Sequence, residues 1–194
     1  MEAVHEYVKT NTQTFDASHD YAHAVAVHRN LLLIVDGNKH KKMVWDLELL
    51  EIVALLHDVC DHKYKCNSIE LLRLFLNKTL GETRGAMAMT LIENISYSKQ
   101  LKHSVQLEWP LDFYLDILRD ADRLESLGKV GIERCTEYVR SKGGKIPEDV
   151  ILHCHEKLIK LYPEHFIKTE FARSLAEPLH NEIIEWVNSY IRTP

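Results

Sequence analysis

The chain has 194 residues, 45% of them hydrophobic, and a formal charge of −5 at pH 7. That length and apolar content suffice for one well-packed core, and no run approaches the roughly 18 consecutive apolar residues of a membrane span, so no membrane partner is expected. The negative charge argues against nucleic acid polymers as partners and leaves room for a local basic pocket that takes a small anion.

The N-terminal stretch MEAVHEYVKTNTQTFD carries acids early and no apolar run, so the sequence predicts no signal peptide and a cytoplasmic location. Cys60, Cys66, Cys135 and Cys154 form no C-x-x-C pair, a pattern that suits reduced thiols better than a disulfide frame or a zinc ribbon. Taken in order, apolar periodicity predicts helices over about 2–11, 19–36, 45–61, 67–79, 84–96, 110–126, 129–142, 147–161 and 168–192. No strand alternation of useful length appears. The charged turn from Asp36 to Lys42 and the break from Ser141 to Pro147 are both too short for interdomain linkers, and no internal repeat or low-complexity tract interrupts the chain. The expected architecture is all-α, a single helical bundle over residues 1–194, with its chemistry in 19–125 and closing helices in 129–192.

The segment WDLELLEIVALLHDVCDHKYK, from Trp45 to Lys65, reads as a helix apolar all round that ends in His57, Asp58, Asp61, His62 and Lys63. Such a helix belongs in the middle of a domain, and a histidine beside a carboxylate at its buried end costs several kcal/mol unless they are paired or hold a metal. Leu50, Val53 and His57 fall on one stripe, with Asp58 about 100° round from it. In the second helix His23, Val27, Leu31 and Ile34 share a face, which points His23 inward. In the sixth, Leu111, Leu115, Leu118 and Asp122 trace another stripe, with a carboxylate where a leucine would be expected, whereas Asp120 falls on the opposite side and is expected to be solvated.

Each residue alone has an ordinary explanation. An inward histidine is often bonded to a backbone carbonyl, and Asp122 beside Arg123 suits an internal salt bridge. Together, two imidazoles and two carboxylates converging on one core suit a borderline or hard divalent ion: Mn, Fe, Co, Ni or Mg, with positions open to water and substrate.

These residues resemble the H…HD…D pattern of the HD-domain superfamily of metal-dependent phosphohydrolases. The matches are His23 in SHDYAHAVAV, His57 and Asp58 in ALLHDV, and Asp122 in LRDADRLESLGKVGI. The chain is most similar to the bacterial-type branch that includes nucleoside triphosphate pyrophosphohydrolases, which shares SHD-x-x-H, LLHD-x-x-D, an ENISYSK-like segment and DADRL before a glycine-containing turn. The likeness extends to HEKLIKL and TEFARSLAEPLHNEIIEW, so it spans roughly residues 16 to 190. Two departures stand out: Ala26 replaces the arginine usual three residues after the first ligand, and His62 and Lys63 follow Asp61 where relatives often differ.

The resemblance implies hydrolysis of a phosphate ester or anhydride with one divalent ion held by His23, His57, Asp58 and Asp122. It makes Asp61 the candidate general base or water-orienting group; the plainer alternative is a partner for Lys65. Lys63 and Arg123 are candidates to neutralise phosphate oxygens, or else salt-bridging surface residues. His19, one turn before His23, suits either a substrate contact or a cap near Asp16 and Ser18. Glu93, Asn94 and Lys99 line the pocket by resemblance alone, while periodicity gives only Met89, Ile92 and Ser96 a common stripe. The implied substrate is a small phosphorylated molecule, preferably a nucleotide cleaved as a triphosphate to monophosphate and pyrophosphate. The runner-up is a phosphatase for nucleoside monophosphates or another small phosphorylated metabolite. A metal-stabilised scaffold without activity and an HD-type oxygenase are the readings of different class. The oxygenase needs two further inward histidines, for which the interval offers only His62 and His103. A homodimer is compatible with all of these.

Overall fold

The computed structural model describes residues 1–16, 19–38, 45–60, 68–102 and 105–191. Among them there is no strand: the chain forms α1 (Glu2–Thr12), α2 (Tyr21–Gly37), α3 (Leu47–Leu56), α4 (Ile69–Leu80), α5 (Glu82–Ile95), α6 (Tyr97–Lys102), α7 (Leu111–Leu124), α8 (Gly128–Ser141), α9 (Glu148–Glu156) and α10 (Glu170–Ile191), with a 3-10 turn at Leu158–Lys160. The all-α expectation holds. No helix among the described residues is long and apolar enough to cross a membrane.

The middle of the bundle is α3. Seven of its ten residues are buried, Leu49, Leu50 and Ile52 to Leu56, and it packs against α1, α2, α5 and α7. Only Leu47, Glu48 and Glu51 of its residues reach solvent, and the rest are packed inward. Its start is fixed by Asp46, whose carboxylate accepts the Leu49 amide at 3.2 Å and is gripped by the Arg84 guanidinium through two nitrogens. The start of α2 is set the same way, Asp20 accepting the His23 amide at 2.9 Å. That cap decides which residues face inward: His23, Val27, Leu31 and Ile34 are all buried, as the stripe predicts.

Two boundaries and one added element differ from the periodicity. The helix expected over 45–61 runs from Leu47 to Leu56, and residues 57–60 form turns. The helix expected over 147–161 breaks after Glu156, because Lys157 adopts φ −134°, ψ −61°. A short helix, α6, appears in the YSKQLK stretch, where polarity hid it.

The largest departure lies on α7, which is packed on both sides. Asp120, expected to be solvated, is 0% exposed. Its carboxylate accepts the backbone amides of Lys168 at 2.8 Å and Thr169 at 2.7 Å, at the entrance to α10. Burial pushes this carboxyl up to about 6, against the pull of the two amides. Arg119, also buried, donates to the Asn94 carbonyl at 2.7 and 3.1 Å and so satisfies the C-terminal end of α5. Three charged residues of one helix therefore hold its neighbours, since Arg123 binds the Phe166 carbonyl and the Gln100 side chain.

Asp120→Ala strands one buried and one part-buried amide and should cost about 2–4 kcal/mol in urea unfolding. Asp120→Asn keeps an acceptor and should cost about half that. An alanine variant as stable as the parent would show that this junction contributes nothing to holding α7 on α10.

Candidate metal centre

Three chain segments meet at one point: the first turn of α2, the end of α3 and the last turn of α7. His57 is the residue that caps α3, and Asp58 follows in the turn. The two neighbours converge on a common centre at the end of the helix. His57 Nε2 lies 3.2 Å from Asp58 Oδ2 and 3.7 Å from Asp122 Oδ1. His23 Nε2 lies 3.4 Å from each of the same two oxygens. The two imidazoles stand 5.2 Å apart at 70° to each other. The described residues His23, His57 and Asp58 present ligand atoms all within 4.8 Å of one another, and Asp122 completes the ring through its contacts to both histidines.

The donor chemistry fits a metal. His57 Nδ1 lies 2.8 Å from the Ala54 carbonyl, an acceptor only, so it carries the proton and Nε2 faces the centre. That Nε2 is buried and makes no hydrogen bond among the described residues, although two carboxylate oxygens stand close by. A bare lone pair facing two carboxylates is repulsive, so either a proton or a cation must sit between them. Metal–nitrogen and metal–oxygen bonds of about 2.1 Å place neighbouring donors about 3–3.5 Å apart, close to the spacing found here.

Without a metal, protons take that role. Burial alone would lower the His57 pKa, but Asp58 and Asp122 outweigh it and hold the ring well above its usual value. Burial likewise opposes ionisation of Asp58 and Asp122, and the two histidines overcome it, holding both carboxyls well below the usual range.

The centre opens into a cavity of about 460 Å³. His19 lines it and contacts Asp16 through Nδ1 at 3.3 Å, while the cap of α2 is Asp20. Lys99 lines the cavity and donates through Nζ to the Glu93 carbonyl; Met89, Ile92, Glu93 and Ser96 line it too. Arg123 is corrected: it is 2% exposed, is held by Phe166 and Gln100, and is absent from the cavity wall. It flanks Asp122 in sequence but leaves the helix in another direction, so it anchors the fold instead of meeting an anion. Asp61, His62 and Lys63 lie outside the described residues, as do Cys66 and His103. Cys60, Cys135 and Cys154 are free thiols. Burial pushes Cys135 up to about 11 and Cys154 up to about 12, which keeps both protonated near neutral pH.

Sequence reasoning missed the far wall of the cavity. Glu125, Arg134, Tyr138, His153 and Lys157 all contribute to it. Only Glu125 had a signal, its place one turn after Asp122; the others come from α8 and the end of α9, which no motif ties to the centre.

In the metal-free protein the raised His57 pKa contributes stability that is present below its unfolded value and lost as pH rises through the folded one. The depressed Asp58 and Asp122 values contribute stability present above about pH 4 and lost as pH falls through the folded values. Melting in a chelator should therefore decline toward alkaline pH. A saturating divalent ion should reverse that limb, because metal competes with protons for the same atoms. Parallel melts with and without manganese check this; curves that coincide at every pH would remove the ion from the site.

No family model matches the chain. It is 27% identical over 197 residues to Bacillus subtilis YpgQ, covering 96% of this chain and 89% of that protein. It is 33% identical over 140 residues to protein L803 of Acanthamoeba polyphaga mimivirus, covering 63% of this chain and 54% of that one. Among solved structures, YpgQ in complex with ADP aligns with a TM-score of 0.76 at 21% identity, over 97% of this chain and 94% of that chain. An HD-superfamily hydrolase from Bacillus thuringiensis aligns with a TM-score of 0.70 at 24% identity, over 98% and 94%. A protein from Lactobacillus plantarum gives 0.77 at 24%, over 97% and 93%. The chain therefore carries the fold of an HD-superfamily hydrolase along nearly its whole length.

Proposed function

We propose that this protein is a divalent-metal-dependent phosphohydrolase acting on a nucleotide, preferably a nucleoside triphosphate cleaved to monophosphate and pyrophosphate, with residues 1–194 acting as one HD domain. The observation that carries the reading is the convergence of His23, His57, Asp58 and Asp122 at 3.2 to 3.7 Å on the wall of a 460 Å³ cavity. A cavity of that size suits a small ligand, and YpgQ, which shares the fold, has been solved with ADP.

His23 and His57 would hold the ion through Nε2, and Asp58 and Asp122 through one oxygen each. A bound divalent ion lowers the pKa of its water and polarises a phosphoryl oxygen. The protein supplies orientation. The Ala54 carbonyl fixes the His57 tautomer, and the Asp20 cap fixes the turn that carries His23. Asp61, three residues past Asp58, is the assigned acceptor of the proton from the attacking water. His19 and Lys99 face the same space and suit contact with phosphate oxygens.

Asp58→Ala or Asp122→Ala should abolish metal binding and turnover together, whereas Asp61→Ala should keep the metal and lose about 100-fold or more in kcat. Metal analysis and circular dichroism on each purified variant separate loss of metal from loss of fold. Full occupancy in the Asp58 and Asp122 variants would sink the ligand assignment.

Product analysis across a nucleotide panel with Mn, Mg, Co or Ni decides the reaction. Pyrophosphate with monophosphate is the predicted outcome. Inorganic phosphate released from monophosphates would instead establish the phosphatase, and no turnover despite bound metal would establish the scaffold.

A further inference from the structure

The cavity wall beyond the metal centre carries three cations, Lys99, Arg134 and Lys157, alongside Glu93 and Glu125. Glu125 lies three residues after Asp122, where α7 ends, and the Arg134 guanidinium of α8 sits 3.4 Å from its carbonyl and 3.7 Å from its carboxylate. Arg134 thus reaches the cavity beside Glu125, three residues beyond Asp122 in sequence. Lys157, at the break after α9, lines the same cavity with its Nζ 5.2 Å from the centroid of the Tyr97 ring. Both side chains are only partly exposed, and Lys99 joins them from α6. Three separate elements bring a cation to one cavity in a chain whose overall charge is −5.

A single phosphate at the metal centre has its charge met there. A chain of phosphates carries further charge away from the centre, and in a partly desolvated cavity that charge needs its own cations. Arg134 offers a planar array of five donors, enough to hold Glu125 and a phosphate oxygen together.

We propose that Arg134 and Lys157, with Lys99 beside them, form a phosphate-tail site that binds the phosphates beyond the one held at the metal centre, and so select polyphosphate esters over monophosphates. The proposal rests on the phosphohydrolase reading only for which phosphate occupies the centre, and its test reads binding instead of turnover. Inorganic tripolyphosphate and orthophosphate, each as its manganese complex, are titrated calorimetrically into the manganese-loaded full chain, and as free anions into the metal-free chain.

Tripolyphosphate should bind the parent protein more tightly than orthophosphate, and Arg134→Met and Lys157→Met should each lose about tenfold for tripolyphosphate while leaving orthophosphate unchanged. Lys157→Arg should restore the preference. Melting curves identify a variant that fails to fold, and Lys157→Met stands on its own should Arg134→Met do so. Equal affinity of the parent for the two anions, or folded variants that keep the parent preference, would overturn the site. If the preference is lost as expected while no nucleotide is hydrolysed, the anion site stands and the hydrolase reading falls. If nucleotides are hydrolysed but the variants bind tripolyphosphate like the parent, the reverse holds.

Discussion

Two imidazoles and two carboxylates pressed together at the edge of an apolar core need a positive charge between them. Burial works against the ionised forms of His57, Asp58 and Asp122, yet His57 is held toward its charged form and the two aspartates toward theirs. The remaining structure serves that arrangement. An apolar α3 brings His57 into the core, a capped α2 presents His23, and a doubly packed α7 delivers Asp122 from the other side. The end of α3 matters as well as its burial, because His57 caps the helix and Asp58 follows it in the turn.

The α7 helix has two duties divided among four neighbouring charges. Asp122 turns toward the cavity, while Arg119, Asp120 and Arg123 bind the end of α5, the entrance of α10 and the Phe166 carbonyl. A ligand must hold its position against the pull of a cation or a substrate, and three buried attachments on the same helix provide that rigidity. The turn into α8 depends on Gly131, where a Cβ would fall 2.2 Å from the Ser126 carbonyl oxygen. That close approach lets the cavity wall from α8 follow directly on the metal-bearing helix.

Much of the fold and centre was legible in the sequence because helical periodicity registers any polar residue on an apolar stripe. His23, His57 and Asp122 each broke such a stripe, and Asp58 came with its neighbour. Asp120 was misread because a single-stripe analysis assumes one packed face, whereas α7 has two. Arg123 was misread because adjacency in sequence is not adjacency on a helix. The cations of the far wall were invisible for a different reason. Arg134 and Lys157 reach the cavity through the packing of α8 and the break at Lys157, and neither event leaves a periodic trace. The short α6 escaped for lack of apolar residues to reveal its period.

The central claim is that one divalent ion belongs among His23, His57, Asp58 and Asp122. The most direct measurement is an anomalous difference map from crystals grown with manganese, recorded on either side of its absorption edge. The account predicts one dominant peak within bonding distance of both Nε2 atoms and of an oxygen from each carboxylate. A map with no peak there, or with histidine and aspartate side chains closed on one another in saturating manganese, would contradict it.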